Sequence, residues 1–89
     1  MAVKITAQPT PNPNAMKFNC STRVVTSGTV TFNSRSSAEG TPWAHALFEV
    51  DGVSAVFAMN DFVTVSRREG ANWDTLIDGV TLALQKHLK

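Results

Sequence analysis

A single cysteine, two histidines and seven carboxylates are the side chains of this 89-residue sequence that could do more than fold. Cys20 is the sole thiol, which excludes an internal disulfide and any metal centre built from several thiolates of one chain. Alone, it could ligate a metal or act as a nucleophile. It follows Phe18 by two residues in an alternating run, however, so both point to one side of a strand, and free cysteines are among the most buried residues. The nearest cation in sequence is Arg23, and a depressed thiol pKa needs a positive charge close in space. Cys20 is therefore read first as packing and only second as a metal ligand. His45 and Glu49 lie one helical turn apart and could share a metal, but two such ligands are not a site, and an exposed i, i+4 pair is expected. His87 projects toward the apolar stripe of the last helix, near an end where a cation suits the dipole. No catalytic residue and no metal-ligand set emerge, and the chain reads as non-enzymatic.

The elements that would position these groups follow from periodicity. Val3, Ile5 and Ala7 alternate with Lys4, Thr6 and Gln8, a half-buried strand. Thr10-Pro11-Asn12-Pro13-Asn14 breaks it, because proline removes backbone donors and restrains its predecessor. Alternation resumes at Met16, Phe18 and Cys20. A β run over 24–32 is either a small hairpin or one bulged strand, and 33–40 is loop. Thr41-Pro42 announces a helix, with a hydroxyl N-cap and proline at the first position, which Asp51-Gly52 stops. Two further β runs flank Asn60-Asp61, residues that tolerate the left-handed backbone of a type I′ hairpin turn. That turn sets Met59 opposite Phe62, Phe57 opposite Thr64 and Val56 opposite Val65. Asn72 caps a last helix whose apolar stripe is Trp73, Leu76, Ile77, Val80, Leu84 and Leu88. Gly79 falls on its polar side and weakens it by about 1 kcal/mol, while Leu82 projects opposite the stripe.

Together these predict one domain over 1–89. Its fold class is α+β, a two-layer sandwich in which an antiparallel or mixed sheet of four or five strands carries two helices packed on one face. The expected core is Ile5, Phe18, Trp43, Leu47, Val56, Val63, Val65, Trp73, Ile77, Val80 and Leu84. The other face of the hairpin, with Phe57, Met59 and Phe62, is too apolar for a purely solvated surface and needs a cover or a partner. Eight basic against seven acidic residues argue against nucleic acid, which demands a concentrated basic surface; Arg67-Arg68 reads as a solvated strand end. No apolar run approaches the ~18 residues of a membrane span, and Met1-Ala2-Val3-Lys4 starts no signal peptide. A cytoplasmic monomer is expected.

Several stretches resemble a known family: Thr10 to Phe18 (TPNPNAMKF), Leu47 to Val53 (LFEVDGV), Val56-Phe57, Asn60 to Val65 (NDFVTV), and Trp73 opening the last helix. Together they are similar to the N-terminal domain of Nfu/NifU-type iron–sulfur cluster scaffold proteins, over almost the whole chain. The resemblance implies a role in iron–sulfur cluster assembly or delivery, with assembly proteins or apo-targets as partners. In that family the cluster is held by a Cys-x-x-Cys motif of a separate C-terminal domain, and the sequence to Lys89 has none. It thus reads as a stand-alone form of the non-ligating half: no cofactor is expected on the isolated chain, and iron or a cluster enters only transiently. The partner-binding candidates are Pro11, Asn12, Pro13 and Asn14, whose prolines reduce the entropy lost on docking, together with Phe57, Met59, Asn60, Asp61 and Phe62. The alternative is a general interaction or regulatory domain with no iron role.

Overall fold

The computed structural model describes residues 3–25 and 28–88. In chain order the elements are β1 (Ile5–Pro9), β2 (Ala15–Cys20), β3 (Thr29–Phe32), a 3-10 turn (Ser36–Ala38), α1 (Pro42–Phe48), β4 (Val53–Met59), β5 (Phe62–Arg67) and α2 (Trp73–His87). The strands form one antiparallel sheet in the order β1-β2-β5-β4-β3. Leu47 of α1 and Leu76, Val80 and Leu84 of α2 share one buried cluster with Phe18, Val56, Ala58, Val63 and Val65, so both helices cover the same face of the sheet. The expected α+β architecture is present.

β1 and β3 form the two edges. β1 runs on through Pro9, opposite Met16, and an edge strand tolerates proline because its outward amide has no ladder partner to lose. The choice between a hairpin and one bulged strand over 24–32 falls on residues 26 and 27, which lie outside the described residues. Among the described residues of that span only Thr29–Phe32 is strand, while the Val24 and Val25 amides both donate to the Asn60 carbonyl, at 2.7 and 3.0 Å. The hairpin turn has two residues as expected but is not type I′. Asn60 (φ 53°) is the one non-glycine with positive φ among the described residues, so Asp61 is not left-handed. The carbonyls of both turn residues are engaged, that of Asp61 by the Cys20 amide at 2.8 Å.

The helix caps divide. Asn72 accepts from the Asp74 amide at 2.8 Å, as its type predicts. Thr41 stands at the N-cap before Pro42, but its hydroxyl makes no capping bond; its carbonyl accepts the first helical bond, from the His45 amide. Trp43, Trp73, Ile5 and Ile77 are half-buried and not interior; the two tryptophans stand at the starts of their helices and Ile5 on an edge strand. The interior includes Val3, Cys20, Val25, Val53, Ala58, Leu76 and Leu88 in their place. His87 is exposed and not directed into the stripe. Gly79 is not a polar-face residue: a Cβ there would lie 2.9 Å from a Val50 methyl, so the glycine is what lets α2 approach the end of α1. Leu82 is 67% exposed, as projected.

Candidate protein-docking face

Strand alternation sends one set of side chains to the helices and leaves the other on a face that no described helix covers. Cross-strand partners share a face, so the observed register arranges the uncovered one as two rows. Gln8, Lys17, Thr64, Phe57 and Thr31 make the first, and Thr6, Asn19, Phe62, Met59 and Thr29 the second. The apolar centre is Phe57, Met59 and Phe62, all half-buried. The Phe57 and Phe62 rings lie 6.3 Å apart at 42°. The Lys17 ammonium sits 4.4 Å from the Phe62 ring centroid, and the Asn19 amide donates to Gln8 at 3.0 Å. The face is an aromatic and methionine patch carrying one cation, rimmed by threonines and amides.

The Pro-Asn corner does not cap this patch. Thr10 Oγ1 donates toward the Asn12 and Ala15 carbonyls at 2.9 and 3.1 Å, and Asn12 Oδ1 accepts from the Asn14 amide at 2.9 Å. The Pro13 carbonyl then accepts from the Trp73 indole N–H at 2.9 Å, and Asn14 Oδ1 accepts from Arg67 Nε at 3.2 Å. Arg67 also donates to the Ala71 carbonyl at 2.6 Å and lies over the Trp73 ring. It is therefore a clasp joining the corner, β5 and α2, and not the free strand end its sequence context suggests. The neighbouring Arg68 is exposed, 3.8 Å from Asp51.

Asn60 and Asp61 stand at the opposite end of the sheet from Pro11, Asn12, Pro13 and Asn14. Asn14 leads into Ala15 opposite Ser66, whereas Asn19 is opposite Phe62, and that length of strand spans roughly 15 Å. Phe57, Met59 and Phe62 adjoin the turn end. The structure thus separates the sequence candidates into an aromatic patch with its turn and a distant corner. Lys17 was missed by sequence reasoning, since it meets Phe62 only through the β2–β5 pairing. Its signal in the sequence is the alternation that sets it opposite in direction to Phe18.

At the turn end, Ser21, Thr22, Arg23, Asn60 and Asp61 line an open polar cleft of about 350 Å³. Cys20 is buried beside it, 7% exposed, with Sγ 3.7 Å from the Phe18 carbonyl oxygen. Burial, and secondarily the Asp61 charge, raise its pKa from 9.0 to about 11, so the thiol stays protonated at neutral pH. His45 Nδ1 is 3.8 Å from Glu49, whose carboxylate already pairs with Arg35. Among the described residues no three His, Cys, Asp or Glu side chains converge as metal ligands. A cluster takes four protein ligands, mostly thiolates, and one buried, protonated thiol does not fit that donor set.

Residues 5–89 match the family model described as scaffold protein Nfu/NifU N terminal. The chain is 45% identical over 73 residues to the NFU1 iron-sulfur cluster scaffold homolog, mitochondrial, of Drosophila ananassae, covering 81% of this chain and 26% of that relative. It is 40% identical over 72 residues to NifU-like protein 5, mitochondrial, of Arabidopsis thaliana, with the same two shares. The chain therefore spans about a quarter of these relatives' length. Among solved structures, the crystal structure of protein SAV1430 from Staphylococcus aureus superposes with a TM-score of 0.80 at 28% identity, over 91% of this chain and 98% of that one. The solution structure of a NifU-like protein from Saccharomyces cerevisiae shares the fold, with a TM-score of 0.85 at 21% identity over 98% and 79% of the two chains. These relatives correct the cytoplasmic expectation, since both curated proteins are named mitochondrial. Balanced charge and the lack of a long apolar run suit either compartment, so composition could not discriminate between them.

Proposed function

Because this chain belongs to the family of Nfu/NifU scaffold N-terminal domains, we propose that it serves iron–sulfur cluster assembly or delivery as a non-enzymatic docking module. It holds a protein partner, either a cluster-assembly protein or an apo-target, and the cluster is cargo ligated by other thiols. The observation that carries this reading is the uncovered sheet face, where Phe57, Met59 and Phe62 are half-exposed around Lys17. Rigid aromatics on a preformed sheet cost little entropy on docking, and aromatic residues and methionine are enriched at interfaces. The Pro-Asn corner enters the reading as the brace that fixes β2, β5 and α2 relative to one another. The scaffold names of the curated relatives support the setting, and the unfit donor set of this chain supports the division of labour.

Capture experiments test it. The tagged chain, incubated with an extract of the organism that encodes it, is expected to retain iron–sulfur assembly proteins or cluster-requiring targets. Phe57→Ser with Phe62→Ser should abolish that retention while the thermal unfolding midpoint moves little. Undiminished capture by the double variant would remove the face from the interface, and capture of proteins with no cluster connection would favour the general interaction domain. Anaerobic reconstitution with iron and sulfide is expected to leave the isolated chain without stoichiometric visible absorption; a brown protein bleached by Cys20→Ser would overturn the non-ligating reading.

A further inference from the structure

The two edges of the sheet are treated differently. On β1, Pro9 withholds an outward amide, and just before the strand Gln85 of α2 donates to the Val3 carbonyl at 3.1 Å. Those are devices that blunt an edge against pairing. β3 has none of them. Its sequence, Thr29-Val30-Thr31-Phe32, contains no charge, proline or glycine and consists of strong strand formers. Among the described residues its main-chain hydrogen bonds run only to β4, and in an antiparallel ladder alternate residues direct their N–H and C=O outward. Beside this open edge, on the helix side, Val30 and Phe32 are half-buried, and Phe32 meets Trp43 edge-on with ring centroids 6.1 Å apart. An apolar shelf therefore adjoins a row of unpaired backbone groups.

From this juxtaposition we infer that β3 is a strand-addition site for an extended peptide segment of a partner protein. The partner segment pairs with Thr29–Phe32 as a sixth strand. Its residues opposite Val30 and Phe32 are apolar and rest on the Phe32–Trp43 shelf; those opposite Thr29 and Thr31 are small or polar strand formers. Backbone pairing supplies affinity and the shelf supplies selection, the usual division in peptide recognition by sheet edges. A second copy of this chain suits the edge less well. Two copies meeting edge to edge would share a ladder of only four residues, roughly 13 Å long, a narrow contact against the ~1,200 Å² of total buried area that a stable interface between folded proteins needs. A flexible peptide can bend to reach the shelf. β3 shares Thr29 and Thr31 with the aromatic face, but its outward backbone and the Phe32–Trp43 shelf on the helix side lie apart from Phe57 and Phe62, so strand addition does not require docking on that face.

The full chain, isotope-labelled, should be titrated with the capped peptide Lys-Thr-Val-Thr-Val-Thr-Lys, an alternating strand kept soluble by its ends. Saturable amide shifts are expected at Thr29–Phe32 and at the Trp43 indole, with several-fold slower hydrogen exchange of the outward β3 amides. The same peptide carrying N-methyl groups on two adjacent central residues, which blocks both of its edges without touching the protein, should produce neither effect. Equal binding of the methylated peptide, shifts confined to Phe57 and Phe62, or no binding at millimolar peptide would each overturn the inference. So would protection of β3 that rises with protein concentration alone, with a dimer in sedimentation, which would assign the edge to a second copy.

Discussion

Cys20 shows how a residue's surroundings decide its chemistry. Its pKa of about 11, against an ordinary 9.0, reflects burial first and Asp61 second. Because the folded value lies above the unfolded one, the contribution is complete below pH 9 and is lost as pH rises toward 11. Denaturant titrations at pH 7, 9 and 10.5 should show stability falling across that window, and Cys20→Ser should flatten the fall. At pH 7 the same substitution should cost about 1 kcal/mol, from a hydroxyl less suited to an apolar site. Gly52 is governed by backbone and not by charge. At φ 104° a side chain is strained, and a Cβ there would stand 3.0 Å from Ala71 Cβ and 3.2 Å from Leu76 Cδ2. Gly52→Ala should therefore destabilise by about 2 kcal/mol or more, measured by the denaturation midpoint.

Among the elements, α2 is fixed at two points that its own sequence does not reveal. Near its middle, Gly79 admits the Val50 side chain. Alanine there gains about 1 kcal/mol of helix propensity but meets a methyl at 2.9 Å, and the clash is expected to prevail. Gly79→Ala should lower stability, and adding Val50→Ala should restore part of it, a coupling that a double-mutant cycle isolates. At its start, Trp73 bonds the Pro13 carbonyl and underlies Arg67. Trp73→Phe, which keeps the ring and removes the N–H, should cost about 1 kcal/mol. Since both tryptophans are half-buried, native emission should fall between those of free and of fully enclosed indole.

For the whole molecule, the two faces of one sheet have different surroundings, and substitution distinguishes them. Val65 is fully buried under the helices, so Val65→Ser should cost about 3 kcal/mol, enough to threaten a domain with only 5–15 kcal/mol in total. Phe57→Ser, one strand away on the uncovered face, should cost about 1 kcal/mol or less and be detected chiefly as lost partner capture. Equal losses of stability would show that the Phe57 face is core. Much of this architecture is legible in the residues alone, because its signals are local. Alternation set the faces of β2, β4 and β5; Asn72 and Pro42 marked the helix starts; two turn residues fixed the hairpin register and, with it, the apolar patch. The type I′ expectation for Asn60-Asp61 failed because distant amides of Cys20, Val24 and Val25 hold the turn carbonyls. Both tryptophans were placed too deep because helical projection gives direction and not depth. Tertiary pairing alone put β5 between β2 and β4, which brings Lys17 to Phe62, seats the Pro-Asn corner on Trp73 and Arg67, and leaves β3 as an open edge. Those contacts join residues far apart in the chain, where the closing of long loops and the packing of whole faces decide the partner, and no short-range period or cap carries that information.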